Sequence, residues 1–330
     1  MCNKNDRRAG TLALALALTA APVGFGSAFA QSYPNKPVRM VVGSAPGSGN
    51  DIAARILAAR ISESWGQQIV IENRPGANQA IAAELVARAS ADGYTLLQCG
   101  VVSVAINPAL YKKLRYDPRQ DFAPVSLIAK APNVLVVHPS APIISVNEFV
   151  AYVWANPGKF NYGSSGIGST LHLSMEMLKA ATGINMVHVP YKGGALAMAD
   201  LLGGHVLAIF ENVPVAVASA RAGKVRPLGI TAARRSAQLP EVPTFAEAGF
   251  PGFEISAWYG VCAPAATPQA VLAKLNDAVV KALNQPDLRL RLSDLGVEPA
   301  PTSAGEFAAF IKSETVKWTK LVKDSGATAD

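Results

Sequence analysis

The sequence predicts an α/β protein of two doubly wound domains that face each other across a cleft. Three observations carry that reading. Strand patterns alternate with helix patterns in two separate sets along the chain, as parallel sheets covered by helices require. Two glycine-rich stretches, Ala45-Pro46-Gly47-Ser48-Gly49-Asn50-Asp51 and Gly163-Ser164-Ser165-Gly166-Ile167-Gly168-Ser169-Thr170, each run from a strand pattern straight into a helix pattern, one in each set. The chain has 330 residues, half of them apolar, which is more than one hydrophobic core usually holds and ample for two.

Residues 1–30 stand apart from that plan. Arg7-Arg8 precede an apolar run from Leu12 to Ala21, and small residues follow up to Ala28-Phe29-Ala30. This is the pattern of an export signal cleaved after Ala30. Its apolar run is about ten residues long, half of what a spanning helix needs. Losing Lys4, Arg7 and Arg8 against Asp6 lowers the formal charge from +7 to +5. No Lys/Arg run with interleaved aromatics marks a nucleic-acid face, so the mild positive charge suits a small acidic ligand. Cys2 departs with the leader, leaving Cys99 and Cys262, both in strand-like apolar runs. An oxidising compartment permits their pairing, but free cysteine is itself among the most buried residue types, and sequence does not show whether the two strands are neighbours, so two unpaired thiols are the favoured expectation.

In the first set, residues 38–42 form a buried strand and 52–64 an amphipathic helix, with Asp51 positioned as its N-cap. A strand over 68–72, a helix over 80–89 and a strand over 94–99 follow, separated by the turn signals Pro75-Gly76 and Asp92-Gly93. Residues 125–137 make a long apolar run interrupted by Pro132-Asn133, which we read as the first crossing between domains. The second set comprises a strand near 160–162, a helix over 170–182, strands over 186–189 and 206–210 around a helix over 195–202, and a last strand near 228–231. Residues 257–262 return to the first domain and lead into helices over 268–283 and 304–323. The domains are thus 31–128 with 256–330, and 129–255. Ligands of such sheets bind at the strand C-terminal ends.

Each glycine stretch sets up an anion site, because a helix N-terminus presents unpaired N–H groups and partial positive charge, and glycine lets a ligand oxygen approach. Two such ends facing each other would grip a carboxylate from both sides. Catalytic readings find little support. The histidines after the leader, His138, His172, His188 and His205, form no metal-ligand spacing, and no G-x-S-x-G elbow or G-x-x-x-x-G-K-[ST] loop occurs. Asp51 and Glu211 would serve as an acid and base only if paired. No cofactor and no enzymatic activity is expected.

Several spaced motifs resemble the Bug family, the solute-binding proteins of tripartite tricarboxylate transporters. They are Glu72-Asn73-Arg74-Pro75-Gly76, Asp92-Gly93-Tyr94-Thr95-Leu96, His188-Val189-Pro190-Tyr191-Lys192-Gly193, Leu201-Leu202-Gly203-Gly204, Val242-Pro243-Thr244 with Glu247-Ala248-Gly249, and Trp258-Tyr259-Gly260 with Ala263-Pro264. The resemblance implies a type II periplasmic binding protein fold, with two α/β domains joined by crossing strands. It also implies a monomer that closes on a small carboxylate and delivers it to a permease of one large and one small integral-membrane subunit. Carried over by position, the first jaw is Pro46, Gly47, Ser48, Gly49, Asn50 and Asp51. The second jaw is Ser164, Ser165, Gly166, Gly168, Ser169 and Thr170 with His172, and Asn133, Glu211 and Asn212 line the rest. A ligand-presenting sensor subunit for a two-component system would use the same site, and an exported enzyme is a more remote alternative.

The sequence departs from the family pattern in informative places. Ser44 and Ala45 stand where an aromatic and a proline are common, and Ser48 replaces the second glycine. Asn78 and Gln79 replace a Gly-Gly pair, which puts Asn78 in the candidate site. Leu207 replaces a common strand aspartate. These changes favour a dicarboxylate or an aromatic acid over an amino acid.

Overall fold

The computed structural model describes residues 33–329, so the predicted leader, its cleavage site and Cys2 lie outside the described residues. The chain opens with β1 (Val38–Val42), α1 (Gly49–Trp65), β2 (Ile69–Asn73), α2 (Ala80–Ala87) and β3 (Thr95–Gly100). A wide π-type turn over Val102–Ile106 runs into α3 (Asn107–Leu110), and β4 (Phe122–Val137) follows. Then come α4 (Val146–Trp154), β5 (Asn161–Ser164), α5 (Thr170–Thr182), β6 (Val187–Pro190), α6 (Gly194–Leu202), β7 (Ala208–Asn212), α7 (Val213–Arg221) and β8 (Arg226–Ile230). The chain closes with β9 (Ser256–Pro264), α8 (Gln269–Leu283), α9 (Pro286–Asp294), β10 (Glu298–Pro299) and α10 (Ala304–Ser325).

The strands run in the order β2-β1-β3-β9-β4-β7-β5-β6, with β8 and β10 both pairing with β4. Parallel pairing is confined to two groups, β2-β1-β3 and β7-β5-β6, and β4 and β9 join them antiparallel. This is the predicted pair of α/β domains linked by crossing strands. One buried cluster draws on residues 38–131 and 255–322 together with Leu173. Two smaller clusters, gathered around Phe210 and Phe245 and around Ile209 and Val213, cover the two faces of the other sheet.

The long run over 125–137 is one unbroken strand rather than two pieces split at Pro132-Asn133. Its first part pairs with β9 up to Pro132↔Ser256, and from Asn133↔Asn212 onward it pairs with β7. The ladder changes partner at Pro132, which has no N–H to donate. At that same point Thr231 ties the crossings together. Its N–H donates to the Asn133 carbonyl (2.9 Å), its hydroxyl accepts from the Asn133 N–H (2.9 Å), and the same hydroxyl donates to the Ile255 carbonyl.

Cys99 and Cys262 form a disulfide rather than two unpaired thiols, with Cα atoms 5.8 Å apart across a sequence separation of 163. They lie on the neighbouring strands β3 and β9, where Leu97 opposes Cys262 and Cys99 opposes Gly260. Helices α3, α4, α7 and α9 were not read from the sequence; α3, α7 and α9 carry a proline in the first turn, where its fixed φ suits the helix start. Among the described residues no helix is long and apolar enough to cross a membrane.

Candidate functional site

A cleft of about 980 Å³ opens between the two sheets, and its walls come from the loops that leave the C-terminal ends of the parallel strands. The loop after β1 supplies Gly43 to Asn50, the loop after β2 supplies Pro75 to Gln79, and Gly100 to Val102 follow β3. From the other side come Ser165 to Ile167 with Ser169 to Leu171, then Pro190 to Leu196, then Glu211 and Asn212. Trp258 and Tyr259 of β9 form the back. Helices α1, α5, α6 and α7 all begin at this surface, so four partial positive charges converge on it.

The two glycine loops share one construction. In the first, Ser48 is the N-cap of α1 and accepts from the Asp51 N–H (3.4 Å), while the Asp51 carboxylate accepts from the Gly47 N–H (2.9 Å). In the second, Ser169 is the N-cap of α5 and accepts from the His172 N–H (3.2 Å), while His172 Nδ1 accepts from the Gly168 N–H (3.2 Å). Gly47 and Gly168 hold nearly equal left-handed φ angles, +79° and +77°. The pattern Gly-Ser-x-x-acceptor at 47–51 and 168–172 is the sequence signal of this match. It leaves the first-turn N–H groups of Gly49 and Asn50 on one side, and of Thr170 and Leu171 on the other, outside the intrahelical ladder and at the cleft wall.

This geometry corrects the reading of Asp51 and His172. The N-cap of α1 is Ser48, because α1 begins at Gly49 and Asp51 already lies inside its first turn. Asp51 is buried behind the loop, where its carboxylate also takes Arg55 Nε (2.9 Å) and Asn73 Nδ2 (2.9 Å). Burial pushes its pKa up, but the Arg55, Gly47 and Asn73 hydrogen bonds outweigh that and hold it below the usual carboxylate range. His172 is likewise buried, stacked on His188 with ring centroids 4.0 Å apart. Burial holds it neutral, pushed down to about 4, and burial with the neighbouring His172 pushes His188 to about 3. A neutral imidazole is what leaves Nδ1 free to accept from Gly168.

Three more predicted residues brace the wall rather than line it. Ser164, fully buried at the end of β5, bonds His188 Nε2 (2.7 Å) and receives the Gly166 N–H (3.1 Å). Gly168 sits behind Ile167, where an added Cβ would lie 2.3 Å from Leu110. Asn133, also fully buried, donates to Ser174 Oγ (2.8 Å) and accepts from Asn212 Nδ2 (2.6 Å), which fixes the Asn212 amide at the cleft. Pro46, Gly47, Ser48, Gly49, Asn50, Asn78, Ser165, Gly166, Ser169, Thr170, Glu211 and Asn212 do line the cleft.

Asn78 reaches across the mouth. Its Nδ2 donates to the Ile167 carbonyl of the second loop (2.6 Å), while its own carbonyl accepts from Asn107 Nδ2 (2.9 Å). Ala77, Asn78 and Gln79 have φ angles of +43°, +51° and +68°. Left-handed backbone suits glycine far better than these side chains.

At the back of the cleft, Glu211 is buried with one partner for its carboxylate, the Asn212 N–H on Oε1 (2.8 Å). Its Oε2 has no hydrogen-bond partner among the described residues, and neither does the buried Tyr259 hydroxyl. Burial pushes the Glu211 carboxyl up to about 7, against the Asn212 N–H that lowers it. Tyr191, Lys192, Gly193 and Tyr259 entered the sequence reading only as motif residues, without a side-chain pattern that announced the cleft. Among the described residues no cluster of His, Cys, Asp and Glu could hold a metal ion.

Comparison with known proteins agrees with this architecture. The family model described as "Tripartite tricarboxylate transporter family receptor" matches residues 53–327. Protein BugT of Bordetella pertussis is 35% identical over 315 residues, covering 95% of each chain. The structure of Rpa4515 of R. palustris with adipate superposes with a TM-score of 0.87 at 39% identity, covering 90% of this chain and 99% of that one. MatC of Rhodopseudomonas palustris with bound malate superposes with a TM-score of 0.82 at 35% identity, covering 88% of this chain and all of that one. The match across nearly the whole described fold, with its cleft at the strand ends, makes this chain a member of the tripartite tricarboxylate transporter receptor family.

Proposed function

We propose that this protein is a periplasmic solute-binding receptor, a monomer that captures a small carboxylate between its two glycine loops and delivers it to a permease of one large and one small membrane subunit. Domains 31–128 with 256–330, and 129–255, close on the ligand by rotation about the crossings at Asn133 and Ile255. No bond is made or broken in the ligand, and no cofactor takes part. The observation that carries the reading is the matched pair of caps: both loops hold their glycine and serine in place from behind, and the residues whose first-turn N–H groups stay outside the intrahelical ladder, Gly49 and Asn50 of α1 and Thr170 and Leu171 of α5, line the same cleft. The structures of similar proteins with adipate and with bound malate support a carboxylate as the bound group. A dicarboxylate or aromatic acid is favoured over an amino acid, in keeping with the adipate and malate of similar proteins; Leu207, which the sequence put forward as a lost amino-group partner, precedes β7 at the end remote from the cleft and does not line it.

Thermal shift and calorimetry with adipate, malate, benzoate, aspartate and glutamate test this. Stabilisation by one or more of the non-amino acids, lost in Gly166→Val with the fold intact, is the expected result. Gly166 has φ +125°, a conformation closed to β-branched residues. Stabilisation by amino acids only overturns the ligand class, and no response to any carboxylate overturns the receptor reading.

A further inference from the structure

Glu211 and Lys192 are the only charged side chains on the cleft wall among the described residues, and Lys192 is exposed at its rim. Glu211 lines the cleft, and its Oε2 is buried beside Gly194 with no hydrogen-bond partner among the described residues. An ionised carboxylate there would oppose entry of any anion, because like charges in a poorly solvated site disfavour one another. A carboxylic acid there does the opposite, since its O–H donates a charge-assisted hydrogen bond to a ligand carboxylate.

We infer that the cleft takes its carboxylate ligand together with one proton from solvent, carried on Glu211 Oε2 and donated to a ligand oxygen in the closed complex. This rests on the carboxylate reading of the site. Of the elements packed on β7, α6 carries one charged residue, Asp200, whose carboxylate accepts from the Tyr191 hydroxyl at 2.5 Å. From β4 come Asn133 and Val134, which carry no charge, and α6 presents Gly194, where an added Cβ would lie 2.5 Å from Oε2. Across the cleft β9 presents the Tyr259 hydroxyl, which is pushed upward by burial and then by the Glu211 charge. The nearer charges of the first jaw are already paired, Asp51 with Arg55 at 2.9 Å. Burial raises the Glu211 carboxyl to about 7 in the free protein, and a second carboxylate beside it raises it further. The sign follows: at pH well below 7 the acid is already formed and affinity is flat, whereas above 7 each pH unit weakens binding by about tenfold.

The test is calorimetry of the full-length mature protein with adipate and with malate between pH 6.5 and 8.5, where both ligands are fully ionised, in buffers of different ionisation enthalpy. The expected result is uptake rising toward one proton per ligand at the alkaline end, and a Glu211→Gln variant that binds without uptake and without pH dependence. The glutamine keeps an N–H donor in place of the acid. Carbon-13 shifts of the Glu211 carboxyl in the wild type give a reading independent of any variant: a carboxyl that stays protonated in the complex at pH 8 supports the inference. Tight binding with no proton uptake, or uptake that persists in Glu211→Gln, overturns it while leaving the carboxylate reading standing. Failure of every carboxylate to bind the wild type removes both.

Discussion

At the scale of single residues, the cleft is governed by side chains that never touch it. Asp51 and His172 occupy equivalent places in their helices and do the same thing, which is to accept the N–H of the glycine before the serine cap. One is charged and one neutral, and each environment suits its form: Arg55 pairs with Asp51, while burial strips the proton from His172. Asn78 adds a contact across the cleft mouth that backbone alone would not make. We expect Asn78→Gly to relax a left-handed residue and leave the fold at least as stable, yet to speed ligand release several-fold, since one net hydrogen bond is worth about 1 kcal/mol. Stopped-flow dissociation measures it, and an unchanged off-rate would show that this bond does not hold the closed form.

At the scale of elements, the crossings decide how the two sheets meet. β4 serves both sheets, and Thr231 fastens its changeover point at Asn133 to Ile255, the residue before the return strand, through backbone and hydroxyl hydrogen bonds to both. Thr231→Val keeps the shape and removes the hydroxyl, leaving the buried Asn133 N–H and the Ile255 carbonyl each short of a partner. The expected loss is about 2 kcal/mol in urea unfolding, and a loss under half of that would mean the ladder alone holds the crossings. The alternation of strands and helices was legible from residue patterns because buried parallel strands are short apolar runs and their helices keep a 3.6-residue period. The glycine loops were legible because Gly47 and Gly168 need left-handed φ. Asp51 was misread because Asp and Ser both cap helices, and sequence cannot say which begins the turn when Ser48 and Asp51 are three residues apart. The Cys99–Cys262 pairing was hidden for another reason: strands separated by 163 residues become neighbours only through topology. Tyr191 and Tyr259 lay in motifs, but nothing in an isolated tyrosine tells which face of the fold it takes.

At the scale of the whole molecule, two α/β sheets present four helix starts and one buried acid to a single cleft. Affinity would then come from backbone dipoles fixed in both lobes, with closure bringing the two halves together. Such a site grips the carboxylate in a way largely indifferent to the rest of the ligand. Selectivity would then fall to the walls beyond the jaws, which include Ser44, Ala45, Asn78 and Gln79. The most direct measurement is the amide nitrogen and proton shifts of Gly49, Asn50, Thr170 and Leu171 during titration with adipate or malate. Large, simultaneous shifts at all four, in both lobes and at one ligand per protein, are expected. Shifts restricted to one lobe, or centred away from these helix starts, would contradict a carboxylate held between two jaws.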